Sequence, residues 1–123
     1  MSDYLEDKLR DHVLRGVAFT SPGTVYLHLY TTATTDAGGG TEVAGGSYAR
    51  QAVTFAAGAA GTGAAENTGT VSFSNMPATT ITHAALKDGT GNMLLHAALT
   101  SPKTTNPGDT LTFAVGDVDA VFA

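Results

Sequence analysis

The sequence predicts a mainly β protein, an antiparallel β-sandwich or open barrel of six to seven short strands with one N-terminal α-helix. Three observations carry this. Short runs such as TVYLHLYT at 24–31 alternate their side chains with the period of a strand. Gly- and Pro-rich turns separate these runs throughout the chain, and only the first residues repeat with helical spacing. Alternating βαβ units and a solenoid period are both missing, which disfavours a parallel α/β domain and a repeat array.

Leu5, Leu9 and Val13 recur at four-residue spacing beside Tyr4 and His12, as a helix with one apolar stripe requires. Ser2 or Asp3 can cap its start, Asp3 and Glu6 have capping-box spacing, and Gly16 is a stop signal, so the helix is expected over 3–15. The simplest role for its stripe is to cover one open end of the β-domain. The domain division that follows is an N-terminal helix at 1–16 and a single β-domain at 17–123.

Within 24–31, Val25, Leu27 and Leu29 face one side and Tyr26, His28 and Tyr30 the other, so both faces of this strand call for cover. Residues 32–47 hold five Gly and one bulky apolar residue, Val43, and read as a long loop. A strand over 48–56 follows, then a second small-residue loop at 57–69, then a short strand at 70–74. Residues 80–87 and 92–99 form a hairpin about the turn Asp88-Gly89-Thr90-Gly91, a register that sets His83 opposite His96. Asn106-Pro107-Gly108-Asp109 has Pro and Gly at the central positions of a type II turn. Residues 110–122 form one strand bent at Gly116-Asp117 or two strands.

Composition narrows the function. The 123 residues contain no Cys, which removes disulfides, thiolate metal sites and thiol nucleophiles. A net charge of −5 argues against nucleic acid as partner, and no apolar run is long enough for a membrane helix. The first residues lack the pattern of a signal peptide, which implies synthesis in the host cytoplasm without export by that route. Only 14% of residues are charged and the mean hydropathy is +0.05. Seven of the charges precede Gly16, leaving a charge-poor Ala/Gly/Thr body whose surface is suited to meeting other proteins.

Residue patterns that carry chemistry are few. His83 and His96 could share a face, yet a zinc site needs a third ligand that the sequence does not supply. Asp117 and Asp119 flank Val118 and are too few oxygens for Ca²⁺. The helix carboxylates have ion-pair roles, and Asp36, Asp88 and Asp109 sit near turn glycines, where Asp bonds the backbone. Neither glycine-rich loop has a phosphate-binding pattern, and no serine nucleophile motif occurs. The chain is therefore not expected to be an enzyme or to use a cofactor or metal. The candidate functional residues are instead interfacial: Tyr48 and Arg50, as favoured interface anchors, and Asp36, Glu42 and Val43 on the otherwise unexplained 32–47 loop. The alternative for Tyr48 and Arg50 is strand packing and a surface charge.

LEDKL with Asp11-His12, TVYL at 24–27, GGSYAR at 45–50, Thr82-His83, ALTSPK at 98–103 and PGDTL at 107–111 together carry a resemblance. The chain resembles small virion proteins of tailed bacteriophages, commonly labelled tail-fibre-like, some of which decorate the head as cement proteins. The resemblance implies a virion structural protein. Fibres usually have heptads or a repetitive shaft, and neither is visible in this chain. The main expectation is thus a capsid decoration protein that binds the major capsid protein across subunit seams, stabilises the shell and associates with copies of itself, preferably as a trimer. The alternative is a tail-fibre or tail-tip component involved in host-surface binding.

Overall fold

Alternation in the run after the first loop builds the strand on which the molecule is centred. The computed structural model describes residues 1–122. It contains α1 (Asp3–Leu14), β1 (Val25–Tyr30), β2 (Gln51–Val53), β3 (Phe55–Ala57), β4 (Ala64–Asn67), β5 (Val71–Met76), β6 (Thr79–Lys87), β7 (Met93–Thr105), β8 (Asp109–Phe113) and β9 (Asp119–Val121). The strands pair antiparallel in three open sheets, ordered β2-β1-β6-β7, β3-β4-β9 and β5-β8. The mainly β class and the N-terminal helix agree with the sequence reading.

The strand number exceeds six to seven for three local reasons. The run at 48–56 divides at Thr54, so that β2 joins β1 and β3 joins β4. The expected loop at 57–69 contains β4, which is small and polar and is held between β3 and β9 rather than by its own propensity. The last segment is two strands, because Gly116 takes a positive φ of 84° and Asp117 donates its N–H back to the Ala114 carbonyl.

Leu27 and Leu29 of β1, Ile81 and Leu86 of β6, Val71 and Phe73 of β5 and Phe113 of β8 form the main core. Phe73 stacks on Tyr48 and meets Phe113 edge to face. The opposite face of β1 is covered as well: Tyr30, Ala85 and Met93 form a second buried cluster. Its cover consists of the start of α1 and the 32–43 loop.

The β6–β7 hairpin departs from the expected register. Asp88 donates its N–H to the Asn92 carbonyl, which makes the turn one residue longer, and Leu94 bulges out between Met93 and Leu95. His83 therefore opposes Ala98, and Ala85 opposes His96. A second irregularity sets Leu99–Pro102 against Thr82, a place where the missing N–H of Pro102 is tolerated. The first bulge has a use. Ser2 donates its N–H to the Leu94 carbonyl at 2.9 Å and its hydroxyl to the Met93 carbonyl. Ser2, rather than Asp3, is also the helix cap, accepting from the Leu5 N–H, so one residue starts α1 and fastens it to β7.

Two further turns follow their sequence chemistry. Gly108 has φ +89° and Asp109 donates its N–H to the Asn106 carbonyl, as in a type II turn. Asp88 is buried, which by itself would raise its pKa. Hydrogen bonds from Asn92 and Thr90 outweigh that and hold the carboxyl below its usual value.

Asn67, at the end of β4, is fully buried and satisfies all four of its hydrogen-bonding positions. Its amide nitrogen donates to the Gly69 and Ala114 carbonyls, and its oxygen accepts from the Gly116 and Val118 N–H groups. It thereby joins the three-stranded sheet to the β8–β9 turn. Asn67→Ala takes the side-chain partner from the Val118 N–H and the Gly69 carbonyl, while Ala114 and Gly116 keep backbone partners, and is expected to lower stability by about 1–3 kcal/mol. Urea unfolding followed by circular dichroism measures this.

Candidate functional site

The residues singled out from the sequence fall into two places. Four of them, Asp36, Glu42, Val43 and Tyr48, lie on the segment that runs along the edge of β1 and over its outer face, with Val43 and Tyr48 turned to the main core. Arg50 lies elsewhere, with its guanidinium carbon 4.0 Å from the centre of the Tyr26 ring and Nη1 donating to the Gly89 carbonyl.

Glu42 is the centre of the cover. One of its oxygens, Oε2, accepts from the Tyr48 hydroxyl at 2.7 Å and from His28 Nδ1 at 2.8 Å. The Tyr48 hydroxyl in turn accepts the Leu29 N–H at 2.9 Å. Burial, with the Glu42 carboxylate beside it, pushes the Tyr48 phenol far up, so it stays protonated and donating. Val43 is only 4% exposed and belongs to the main core, so its side chain is not open to a partner; that expectation is corrected. Its N–H is donated to the Leu29 carbonyl.

Asp36 clamps the other end of the loop. Its Oδ1 lies 2.7 Å from His96 Nε2, whose Nδ1 meets the Thr34 hydroxyl at 2.8 Å. Its carbonyl accepts the Asp3 N–H, which ties loop and helix together. Between the clamps, Gly40 has φ +108° and passes so close to the Tyr30 ring that a Cβ would approach it within 3.1 Å. Residues 32–47 are thus a fastened lid and not a free loop.

Sequence reasoning missed Ser2, His28 and His96 as partners in this cover. A signal existed in β1, whose outer side chains are large and partly polar and so imply a polar cover. His83 contacts Thr82 through Nδ1, and its register separates it from His96. Asp117 accepts the Ala114 N–H through Oδ2. Among the described residues, no three His, Asp or Glu side chains converge as a metal site. In the Glu42-Tyr48-His28 trio His28 is only 7% exposed while Glu42 stays part-exposed, and its hydrogen bonds hold backbone in place. Its chemistry is structural.

A separate surface is unfilled. The inner face of the four-stranded sheet is wider than the two-stranded layer over it, and a cleft of about 450 Å³ is left where Leu95, Ala97 and Leu99 of β7 face Phe113, Val118 and Val121. Ala97 opposes Ala84 and therefore points to the core side, yet it is exposed.

A family model described as Podophage GP4 fiber I protein gp80 matches residues 1–120. No curated protein matches the chain. The match names a fibre protein and overturns the expectation of capsid decoration; the tail-fibre alternative is the reading it supports.

The cover predicts a pH dependence. Burial is the largest influence on His28 and holds its pKa below the ordinary value, against the opposing pull of Glu42. Protonation would also add a buried N–H at Nε2, which has no partner. The unfolded chain takes up this proton near pH ~6.5. The contribution of His28 to stability is therefore complete above that pH and is lost as pH falls from there toward the depressed folded pKa. Thermal melts should show a midpoint decreasing below about pH 6.5, with a shallower decrease in His28→Gln. Tyr48→Phe leaves the Leu29 N–H unpaired and is expected to cost about 1–3 kcal/mol in urea unfolding.

Proposed function

The chain belongs to this phage fibre family, and from that premise we propose that it is a structural component of the tail fibre or tail tip, working in several copies. The observation that carries this is the family match, which spans residues 1–120. The physical features agree with it. The lid is clamped from within, the polar side chains are engaged with backbone or with one another, and the charge-poor surface suits contact with like subunits. Copies of the chain, preferably three, are the first partners proposed, with other fibre subunits beyond them.

Receptor sugars are commonly held by stacking on exposed aromatic rings. Of the tyrosines, Tyr30 is buried, Tyr48 is half-buried against Phe73, Tyr26 lies under Arg50 and Tyr4 under Lys8, which leaves Phe122 as the exposed ring among the described residues. This favours a load-bearing or connecting role in the fibre over direct reading of a host glycan.

Gold-labelled antibody to the protein, viewed on intact virions, tests the assignment. Label confined to the tail is the expected outcome. Label spread over the head would overturn it.

A further inference from the structure

The large apolar side chains that remain exposed among the described residues gather in two places. Val13, Leu14 and Val17 form one group at the far end of α1, with Leu14 77% and Val13 72% exposed. Val121 lines the cleft, with Phe122 next to it in sequence, and Val115 is exposed in the β8–β9 connection. One group is a knob and the other borders a hollow.

The knob cannot fill the hollow of its own molecule. Met1 lies at the cleft, and α1 is fastened there through Ser2. Leu5 is the one buried residue of the helix. The helix then carries Leu14 about 17 Å from its start, at ~1.5 Å per residue, and neither Val13 nor Leu14 lines the cleft. Charge also matches the two surfaces. The cleft lining holds Asp117 and Asp119 and no Lys or Arg, whereas the end of α1 carries Arg10 and Arg15, whose side chains are 52% and 63% exposed; Arg10 pairs with Asp7 and Asp11 and Arg15 with Asp11 at 3.0 Å, so Arg15 reaches a partner's rim by exchanging that exposed pair.

We infer that the free end of α1, Val13-Leu14 with Val17, inserts into the β7–β9 cleft of a second copy, with Arg15 set toward the Asp117/Asp119 rim. Such a contact joins two different patches, so it repeats from copy to copy and yields a closed ring or an open filament according to the rotation it imposes. A subunit of a fibre has use for either. The inference supplies a contact for the copies in the preceding reading; its test is self-association of the purified protein, which can fail independently of where the protein sits on the virion.

Sedimentation equilibrium of the full chain should show concentration-dependent association. Leu14→Glu on the knob and Ala97→Arg in the cleft are both exposed positions, and each should weaken association by roughly ten- to hundredfold, the loss of one buried aliphatic contact, with an unchanged melting midpoint. Asp119→Arg and Arg15→Asp should each weaken association, and the double variant should recover part of the loss. A wild-type protein that stays monomeric at high concentration overturns the inference. So does loss of association in Leu14→Glu with full association in Ala97→Arg, the result expected if two helix ends pair with each other. Association indifferent to both variants overturns it too.

Discussion

Val25, Leu27 and Leu29 on one face of β1, with Tyr26, His28 and Tyr30 on the other, make this strand costly to leave open on either side. A half-buried antiparallel strand normally keeps a polar face for water. β1 does not, and the architecture follows from that. The β5–β8 layer covers the inner face, while the outer face, where a third sheet might have been placed, is covered by a loop and the first turn of a helix.

A loop is a poor lid unless its backbone is held, since it brings neither a ladder of hydrogen bonds nor a broad apolar face. Here the holding is done by a short pairing with the edge of β1, the Thr31 N–H to the Thr41 carbonyl and the Val43 N–H to the Leu29 carbonyl, and by side chains at separated points: Glu42 through Tyr48 and His28, and Asp36 through His96. The glycines between them let the chain lie flat on Tyr30. The low charge of the body thus has two origins. Uncharged residues make up much of its exposed surface, and several of the few carboxylates, Asp36, Glu42 and Asp88 among them, are committed to hydrogen bonds within the fold.

What the sequence made legible were features whose cause is local. The spacing of Leu5 and Leu9, the cap before them, the alternation of β1 and the Pro107-Gly108 turn each act over a few residues. β4 was invisible because Ala64-Ala65-Glu66-Asn67 has little strand character; its neighbours impose the conformation. The His83–His96 pairing failed because one longer turn and the Leu94 bulge each moved the register, and a bulge leaves no mark in residue type. The candidate residues show a different limit. Asp36, Glu42 and Tyr48 stood out as residues that need partners, but a sequence does not say whether the partner is another molecule or the neighbouring strand. His28 and His96, the partners, lay in strands; the large outer face of β1 signalled a need for cover at His28, but nothing in either strand named Glu42 or Asp36 as its partner.

The order β2-β1-β6-β7 also decides how the molecule comes apart. β1 is hydrogen-bonded to residues from 51–53 and 79–87, and it is enclosed by residues drawn from the helix start, the lid, β5 and β8. No contiguous half of the chain contains both the strand and its enclosure. Most of the enclosing contacts are distant in sequence, so the entropy of closing several loops must be met before any of them is rewarded. The four-stranded sheet and the layers on its two faces meet at this strand, so loss of either layer admits water to the same six residues. Strands coupled in this way are expected to open together rather than layer by layer.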